Sequence, residues 1–224
     1  MYDLFFISYA EPDADERWKR LKERFPHARR MHGITGIANA HKACARQSWT
    51  KMFWTVDADT DVDPWWAFDH EVASWDQDYL HVWHARNPIN GLIYGYGAIK
   101  LWPCDLILKH EKPWLDFTSS LGSMKVIPEA IATTAFNTNP YETWKSAFRE
   151  CVKLAENVRI NPDDLESASR LAGWKRSING ARFAEWAING ASDGESWHAR
   201  NTENLKLIND FQWLGREFRD RYGG

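Results

Sequence analysis

The chain has 224 residues, which suffices for one well-packed core and leaves little room for a second large domain. Its 28 basic and 31 acidic side chains give a formal net charge of −3, so the overall charge carries no signature of a nucleic-acid-binding protein. Three widely spaced cysteines argue against a disulfide framework or a structural zinc site, and no apolar run reaches the roughly 20 residues that span a bilayer. We therefore expect a single domain over residues 1–224, in a soluble cytoplasmic protein.

The first part of the chain alternates between strand and helix patterns. An apolar strand is predicted at residues 4–9, and the helical spacing of Trp18, Leu21 and Phe25 predicts a helix over 16–25. The next predicted elements are a short strand at 31–35, a helix over 36–48 and a strand over 52–56. Strands that alternate with helices over short connections are typical of a parallel sheet flanked by helices.

The pattern changes twice further along the chain. Strand patterns cover residues 79–85 and 92–102, with turn-forming residues between them. From residue 139 onward the pattern is helical, and the predicted helices are 141–157, 162–172, 181–189 and 202–222. We therefore predict an α/β fold with a Rossmann-type, mostly parallel sheet flanked by helices and a helical C-terminal part.

The most informative segment is the predicted strand 52–56 with the acids that follow it. Ligands of open α/β sheets bind at the carboxyl ends of strands, which is where Asp57 and Asp59 lie. Residues two apart in an extended segment point the same way, so both carboxylates can face one cation. Oxygen ligands suit Mg²⁺ or Mn²⁺ and not zinc. The alternative interpretation is a solvated turn or a helix cap, both of which favour Asp.

Two further features leave alternatives open. Basic side chains crowd residues 19–32, either as a local nucleic-acid-binding face or as a solvated helix with its exit loop. The 14 tryptophans are explained mostly as core residues, and some of them can line a pocket that stacks a base or a sugar ring. The sequence does not separate these two groups of indoles.

Residues 33–43, the strand after them and Asp57-Ala58-Asp59 resemble the nucleotide-binding half of GT-A-fold glycosyltransferases. In that superfamily a glycine-containing turn opens a helix beside the nucleotide, and the next strand ends in Asp-x-Asp. The resemblance extends more loosely through residues 94–98. In overall pattern the chain is also similar to small phage-encoded members, some of which glycosylate hydroxymethylated pyrimidines in DNA. A GT-A-like domain is thereby implied, with residues 1–102 binding the nucleotide sugar and 103–224 forming the acceptor side and the helical C-terminal part.

The resemblance also implies a role for individual residues. Asp57 would contact the ribose or the metal, and Asp59 would bind the Mn²⁺ or Mg²⁺ that bridges the diphosphate of the donor, a UDP-sugar by preference. His198 is a candidate further metal ligand. The remaining implied donor contacts are Ser8, Tyr9 and Glu11 for the base and ribose, His41 or Lys42 for a phosphate or the sugar, and Gly36, Tyr96 and Gly97.

An inverting enzyme of this class uses a carboxylate as base, and two residues are candidates. Glu150 is the first choice, because an acid in an otherwise apolar and basic helix needs a reason; its alternative is an ion pair within a structural network. Glu142 is the competitor, and its alternative is a favourable charge at a helix N-terminus. A retaining enzyme needs no such base.

These expectations together define a metal-dependent glycosyltransferase that moves a sugar from a nucleotide sugar to a hydroxyl. A hydroxymethylated pyrimidine in phage DNA is a possible acceptor, and the location would then be the host cytoplasm. One alternative is a nucleotidyltransferase or other nucleotide-sugar enzyme, for which released pyrophosphate would be diagnostic. The other is a non-catalytic glycan- or nucleic-acid-binding module on the same scaffold.

Overall fold

The computed structural model describes residues 1–95, 98–111, 117–118 and 121–223. Residue contacts divide the chain into two compact units. The first unit comprises Met1–Arg86 and Ile93–Ala135, and the second comprises Asn87–Leu92 and Phe136–Gly224. The predicted organisation as one domain with halves meeting at residue 102 stays a prediction. Within the described ranges, no helix has the length and apolar character that crossing a membrane requires.

The first unit is built around one sheet. Its described strands are β1 (Asp3–Ser8), β2 (Arg29–His32), β3 (Met52–Asp57), β4 (Thr60–Val62), β5 (Leu80–Arg86), β6 (Ile93–Tyr94), β7 (Ile99–Pro103) and β8 (Met124–Thr134). Its helices in the same ranges are α1 (Ala14–Arg24), α2 (Ile37–Gln47) and α3 (Cys104–Lys109). The strand order is β2-β1-β3-β7-β5-β8-β4, and β6 pairs with β5.

The predicted α/β class is confirmed, but the sheet is mixed and not mostly parallel. β1 runs parallel to β2 and β3, and β5 runs parallel to β8; every other described pairing is antiparallel. The physical reason lies in the connections. Helices α1 and α2 carry the chain between parallel strands, whereas the described residues between β5 and β7 contain turns and the short β6, which reverse the chain direction.

Strands β1 and β3 are buried on both faces, which explains their nearly continuous apolar runs. On β1, Leu4 and Phe6 join the core cluster that contains Leu21 of α1. Phe5 alternates to the opposite face and joins the cluster that contains Cys44 of α2. The chain therefore steps from β1 out to β2 along one face and returns across β1 to β3 along the other. The strand order reverses between β1 and β3, which makes their carboxyl ends a topological switch point.

The second unit is helical, as predicted for the C-terminal part. Its described helices are α4 (Pro140–Ile160), α5 (Leu165–Trp174), α6 (Ala184–His198) and α7 (Phe211–Tyr222). Helices α4 and α6 approach closely because Gly190 and Gly194 have no side chains: a Cβ at these positions would collide with the backbone carbonyls of Trp144 and Phe148, respectively. The predicted helix 202–222 is interrupted, because the Asp210 side chain accepts hydrogen bonds from the first amides of α7 and starts a new helix.

Candidate functional site

The strongest candidate site lies where β1 and β3 end. Asp57 is the last residue of β3 and pairs in register with Ile7, one residue before the end of β1. Its backbone amide donates to Ala98 O at 3.0 Å. Asp59 follows in the turn to β4, and its carbonyl accepts from Ala135 N. Both predicted acids are therefore held at the switch point of the sheet by backbone hydrogen bonds.

Glu11 adds a third carboxylate to this edge. It lies in the loop between β1 and α1, and its Oε2 accepts a hydrogen bond from Tyr9 N at 2.7 Å. Burial raises the pKa of Asp59 to about 7, and the negative charges of Asp57 and Glu11 contribute to that rise. Burial also raises the pKa of Asp57, again with a contribution from Glu11. The charge of Glu11 thus opposes ionisation of Asp57, and the charges of both oppose ionisation of Asp59, which is the electrostatic environment that a bound cation relieves.

Lys100 lies beside this cluster and is not among the donor-site residues predicted from the sequence. It is 5% exposed on β7, opposite Thr55 of β3, and its Nζ lies 3.8 Å from Asp57 Oδ2 and 5.2 Å from the ring centre of Trp102. Its charge lowers the pKa of Asp57, against the larger effect of burial. The only sequence signal is a lysine between apolar residues, Ile99-Lys100-Leu101, in a predicted strand. Its proximity to Asp57 depends on the antiparallel pairing, which the sequence does not reveal.

Asp57 retains capacity for a ligand. Its Oδ1 is buried and has no hydrogen-bond partner among the described residues, and Lys100 is too distant from Oδ2 for a normal hydrogen bond. A buried carboxylate oxygen without a partner is costly, so a ligand or cation there would be favourable. Within the described residues, no group of three or more His, Cys, Asp or Glu side chains is arranged so that it could hold a metal ion. The carboxylates of Asp57 and Asp59 nevertheless fit the oxygen preference of Mg²⁺ or Mn²⁺.

Two of the predicted contacts to the base and ribose, Ser8 and Tyr9, lie at the end of β1, and they differ in exposure. Ser8 is 3% exposed, and its hydroxyl is bonded to Arg30 Nε and His32 Nδ1, each at 2.9 Å. It therefore fixes β1 to β2. Tyr9 is 45% exposed. Of the two, Tyr9 has the side chain that is available to a ligand.

The glycine-containing turn and α2 contain three more predicted residues. Gly36 immediately precedes α2 with a φ of +88°, a conformation that favours glycine. His41 is fully buried: its Nδ1 donates to Ile37 O at 2.8 Å and its ring lies 4.4 Å from that of Trp102. Burial, followed by the charge of Lys100, lowers the pKa of His41 to about 3, so the imidazole is neutral. Lys42 is partly exposed and has no ion pair within the described ranges. Tyr96 and Gly97 lie outside the described residues.

The other three predicted site residues lie in the second unit, and each has a hydrogen-bond or ion-pair partner there. His198 is 5% exposed on α6, and its Nε2 lies 2.8 Å from Glu156 Oε2 of α4. Glu150 accepts from Arg170 Nη2 at 2.6 Å and lies 3.8 Å from Lys153 Nζ. Glu142, in the first turn of α4, pairs with Lys145 at 2.5 Å. For Glu150 and Glu142 these contacts favour the structural alternatives, and the catalytic and metal roles of the three residues stay predictions.

No protein-family model matches the chain, and a comparison with curated proteins finds no significantly similar sequence. Functional inference therefore depends on the geometry of the residues themselves.

Proposed function

We propose that the protein is a metal-dependent glycosyltransferase that transfers a sugar from a nucleotide-sugar donor to a hydroxyl group. The observation that supports this proposal most directly is the cluster of Glu11, Asp57 and Asp59 at the switch point between β1 and β3. Switch points are where open α/β sheets bind nucleotides, and Oδ1 of Asp57, which has no partner among the described residues, leaves the cluster with unused ligand capacity.

Asp57 and Asp59 would hold the metal ion, Mn²⁺ or Mg²⁺. When bound, such an ion neutralises the negative charge that accumulates on the leaving diphosphate. Lys100 Nζ lies 3.8 Å from Oδ2 of Asp57, whereas Oδ1 is buried and has no hydrogen-bond partner among the described residues. Tyr9, exposed at the end of β1, offers an aromatic face to the nucleoside, and a UDP-sugar is the donor that we propose.

The acceptor side of the proposal concerns the base that activates the acceptor hydroxyl and the acceptor itself. An inverting reaction needs a carboxylate near the acceptor hydroxyl; the candidates from the sequence are Glu150 and Glu142, and both are ion-paired in the structure. A hydroxymethylated pyrimidine in DNA is the proposed acceptor, and such a base would have to leave the duplex stack. Part of the positive charge in residues 19–32 is already paired within the protein: Arg20 with Asp61, Arg29 with Asp3 and Arg30 with Asp15.

Thermal unfolding with a panel of nucleoside diphosphates and nucleotide sugars tests the donor site directly. Each ligand is measured with Mn²⁺ and with EDTA, because a ligand that binds only the folded state at a hundred times its Kd adds about 2.7 kcal/mol of stability. We expect one nucleotide sugar to raise the melting temperature only when Mn²⁺ is present. Asp59→Asn should abolish this increase.

Asp61→Asn is the matched control. Asp61 lies two residues further along the chain, but its carboxylate is paired with Arg17 and Arg20, so this variant should retain the ligand-induced increase over its own baseline. No increase with any ligand, or the same increase in EDTA, would contradict the proposal. Product analysis with the ligand that binds then separates glycosyl transfer, which releases a nucleoside diphosphate, from nucleotidyl transfer, which releases pyrophosphate.

A further inference from the structure

A second candidate site lies entirely within the helical unit. A groove of about 490 Å³ runs between α7 and the start of α4. It is lined by Tyr141, Phe211, Gln212, Gly215, Arg216 and Arg219. Its volume is within the range of small-molecule sites, and none of these residues belongs to the proposed donor site.

The groove carries positive charge that is not paired with any of the described residues. Arg216 and Arg219 are exposed, and in the part of the chain that the structure describes their side chains have no ion pair or hydrogen bond. Arg221 on the same helix differs, since it pairs with both Asp193 and Glu217. The three arginines of α7 thus divide into one that stabilises the fold and two that point their charge at a groove.

Aromatic surface accompanies this charge. Phe211 is 46% exposed, with Lys145 Nζ at 4.9 Å and Arg149 Cζ at 5.2 Å from its ring centre. The Tyr141 hydroxyl donates to Phe211 O at 3.2 Å, which ties the start of α4 to the start of α7. Exposed aromatic rings beside cations are the features with which proteins bind nucleotides, through base stacking and phosphate contacts.

Gly215 keeps the groove open. A Cβ at this position would lie 3.4 Å from Arg219 Nη1 and 3.7 Å from Tyr141 Oη, so any side chain there would occupy the space between the arginine and the phenol. Within a helix glycine is less favourable than alanine by about 1 kcal/mol. The absence of a side chain therefore costs helix stability and leaves room beside the two arginines.

We propose that this groove binds a nucleotide, with Arg216 and Arg219 on its phosphate and its base against Phe211. Guanidinium groups suit this role because their planar donors match phosphate oxygens. The nucleotide can come from two sources, a free mononucleotide or a residue of a single-stranded nucleic acid, which share this chemistry. The proposal is independent of the proposed glycosyltransferase activity.

Fluorescence anisotropy with a labelled single-stranded oligothymidylate tests the proposal. We expect the wild-type protein to bind it in low salt and the Arg216→Gln/Arg219→Gln double variant to bind at least about tenfold more weakly. The slope of log affinity against log salt should also fall in the double variant, because each lost phosphate contact removes about 0.7 from it. Arg176→Gln is the matched control, since Arg176 is also exposed in the helical unit and does not line the groove.

Competition by unlabelled thymidine monophosphate and by inorganic phosphate distinguishes the sources. Displacement by the monophosphate at concentrations close to those of the oligonucleotide identifies a free nucleotide as sufficient, whereas displacement only by the oligonucleotide identifies the strand. Gly215→Ala should weaken binding without loss of thermal stability. Absence of binding by the wild type to both nucleotide probes, or equal affinities for the double variant and Arg176→Gln, would overturn the proposal.

Discussion

Acidic residues are in opposite situations in the two units. At the sheet edge of the first unit, Asp57 has a buried oxygen without a described partner, and Asp59 has a pKa raised by its acidic neighbours as well as by burial. In the helical unit, Glu156 is bonded to both Arg159 and His198, and the hydrogen bond from Arg159 leads the causes that lower its pKa to about 2. The ionised form of Glu156 thus stabilises the folded helical unit, whereas the sheet edge maintains acids at a cost. Such a cost is typical of a binding site.

The largest effect that we expect comes from the packing of the helical unit. Gly194→Ala should lower the free energy of unfolding by about 3 kcal/mol, because its Cβ would press on the backbone carbonyl of Phe148, which cannot move as a side chain can. Urea unfolding followed by circular dichroism measures this. Gly215→Ala is the matched control in α7, where only side-chain atoms are near, and it should increase stability by up to about 1 kcal/mol. A stabilising Gly194→Ala would contradict the close approach of α4 and α6.

The second prediction concerns pH and the sheet edge. Asp59 has a folded pKa of about 7 against an ordinary value of 3.8, so between these values the folded protein retains a proton that the unfolded chain has lost. Its contribution to stability is complete at low pH and is lost as the pH rises through about 7. Asp59→Asn should therefore raise the free energy of unfolding near pH 8 by about 2 kcal/mol and flatten its pH dependence, measured in metal-free urea titrations.

Glu156 supplies the contrast for that titration. Its folded pKa of about 2 lies below the ordinary 4.5, so its contribution is present above about pH 4.5 and is lost as the pH falls toward 2. An Asp59→Asn variant that is less stable than the wild type near pH 8 would contradict the claim that the charge of Asp59 costs stability at the sheet edge.

The smallest expected effect tests Glu150. Because its carboxylate is already bonded to Arg170, Glu150→Gln and Arg170→Gln should each lower stability by about 1 kcal/mol, and sugar transfer should continue in both. Chemical denaturation and turnover assays on the pair measure this. Loss of turnover in Glu150→Gln alone, with donor-induced stabilisation unchanged, would contradict this expectation and assign the Glu150 carboxylate as the general base.

The sequence predicted best those elements whose burial is visible in local pattern. Strands β1 and β3 are apolar because both faces are covered, and the acids that end β3 follow directly from that pattern. The direction of a strand could not be predicted from the sequence, because side chains alternate between the two faces in the same way in parallel and antiparallel strands. For this reason neither the mixed sheet nor Lys100 beside Asp57 could be predicted.

Helix ends in the second unit could not be predicted from local pattern, because tertiary packing determines them. The helix predicted over 181–189 extends to His198 in α6, through Gly190 and Gly194. Glycine normally weakens a helix, so local propensity ends the prediction there. In the folded protein these glycines are required by the backbone of α4, a tertiary contact that no local pattern contains. The packing of two helices thus overrides the propensity of one.

The backbone contact between α4 and α6 should also determine how the helical unit unfolds locally. Where backbones touch at Gly190 and Gly194, no side chain can rearrange to let one helix fray while the other stays folded. The central amides of α4 and α6 should therefore exchange their hydrogens with solvent together, at the rate of complete unfolding of this unit. Amides in α7, which has Leu214 as its buried residue, should exchange through smaller local openings. The slowest part of the helical unit is then its glycine-lined helix pair, and the nucleotide groove lies on the part that opens more readily.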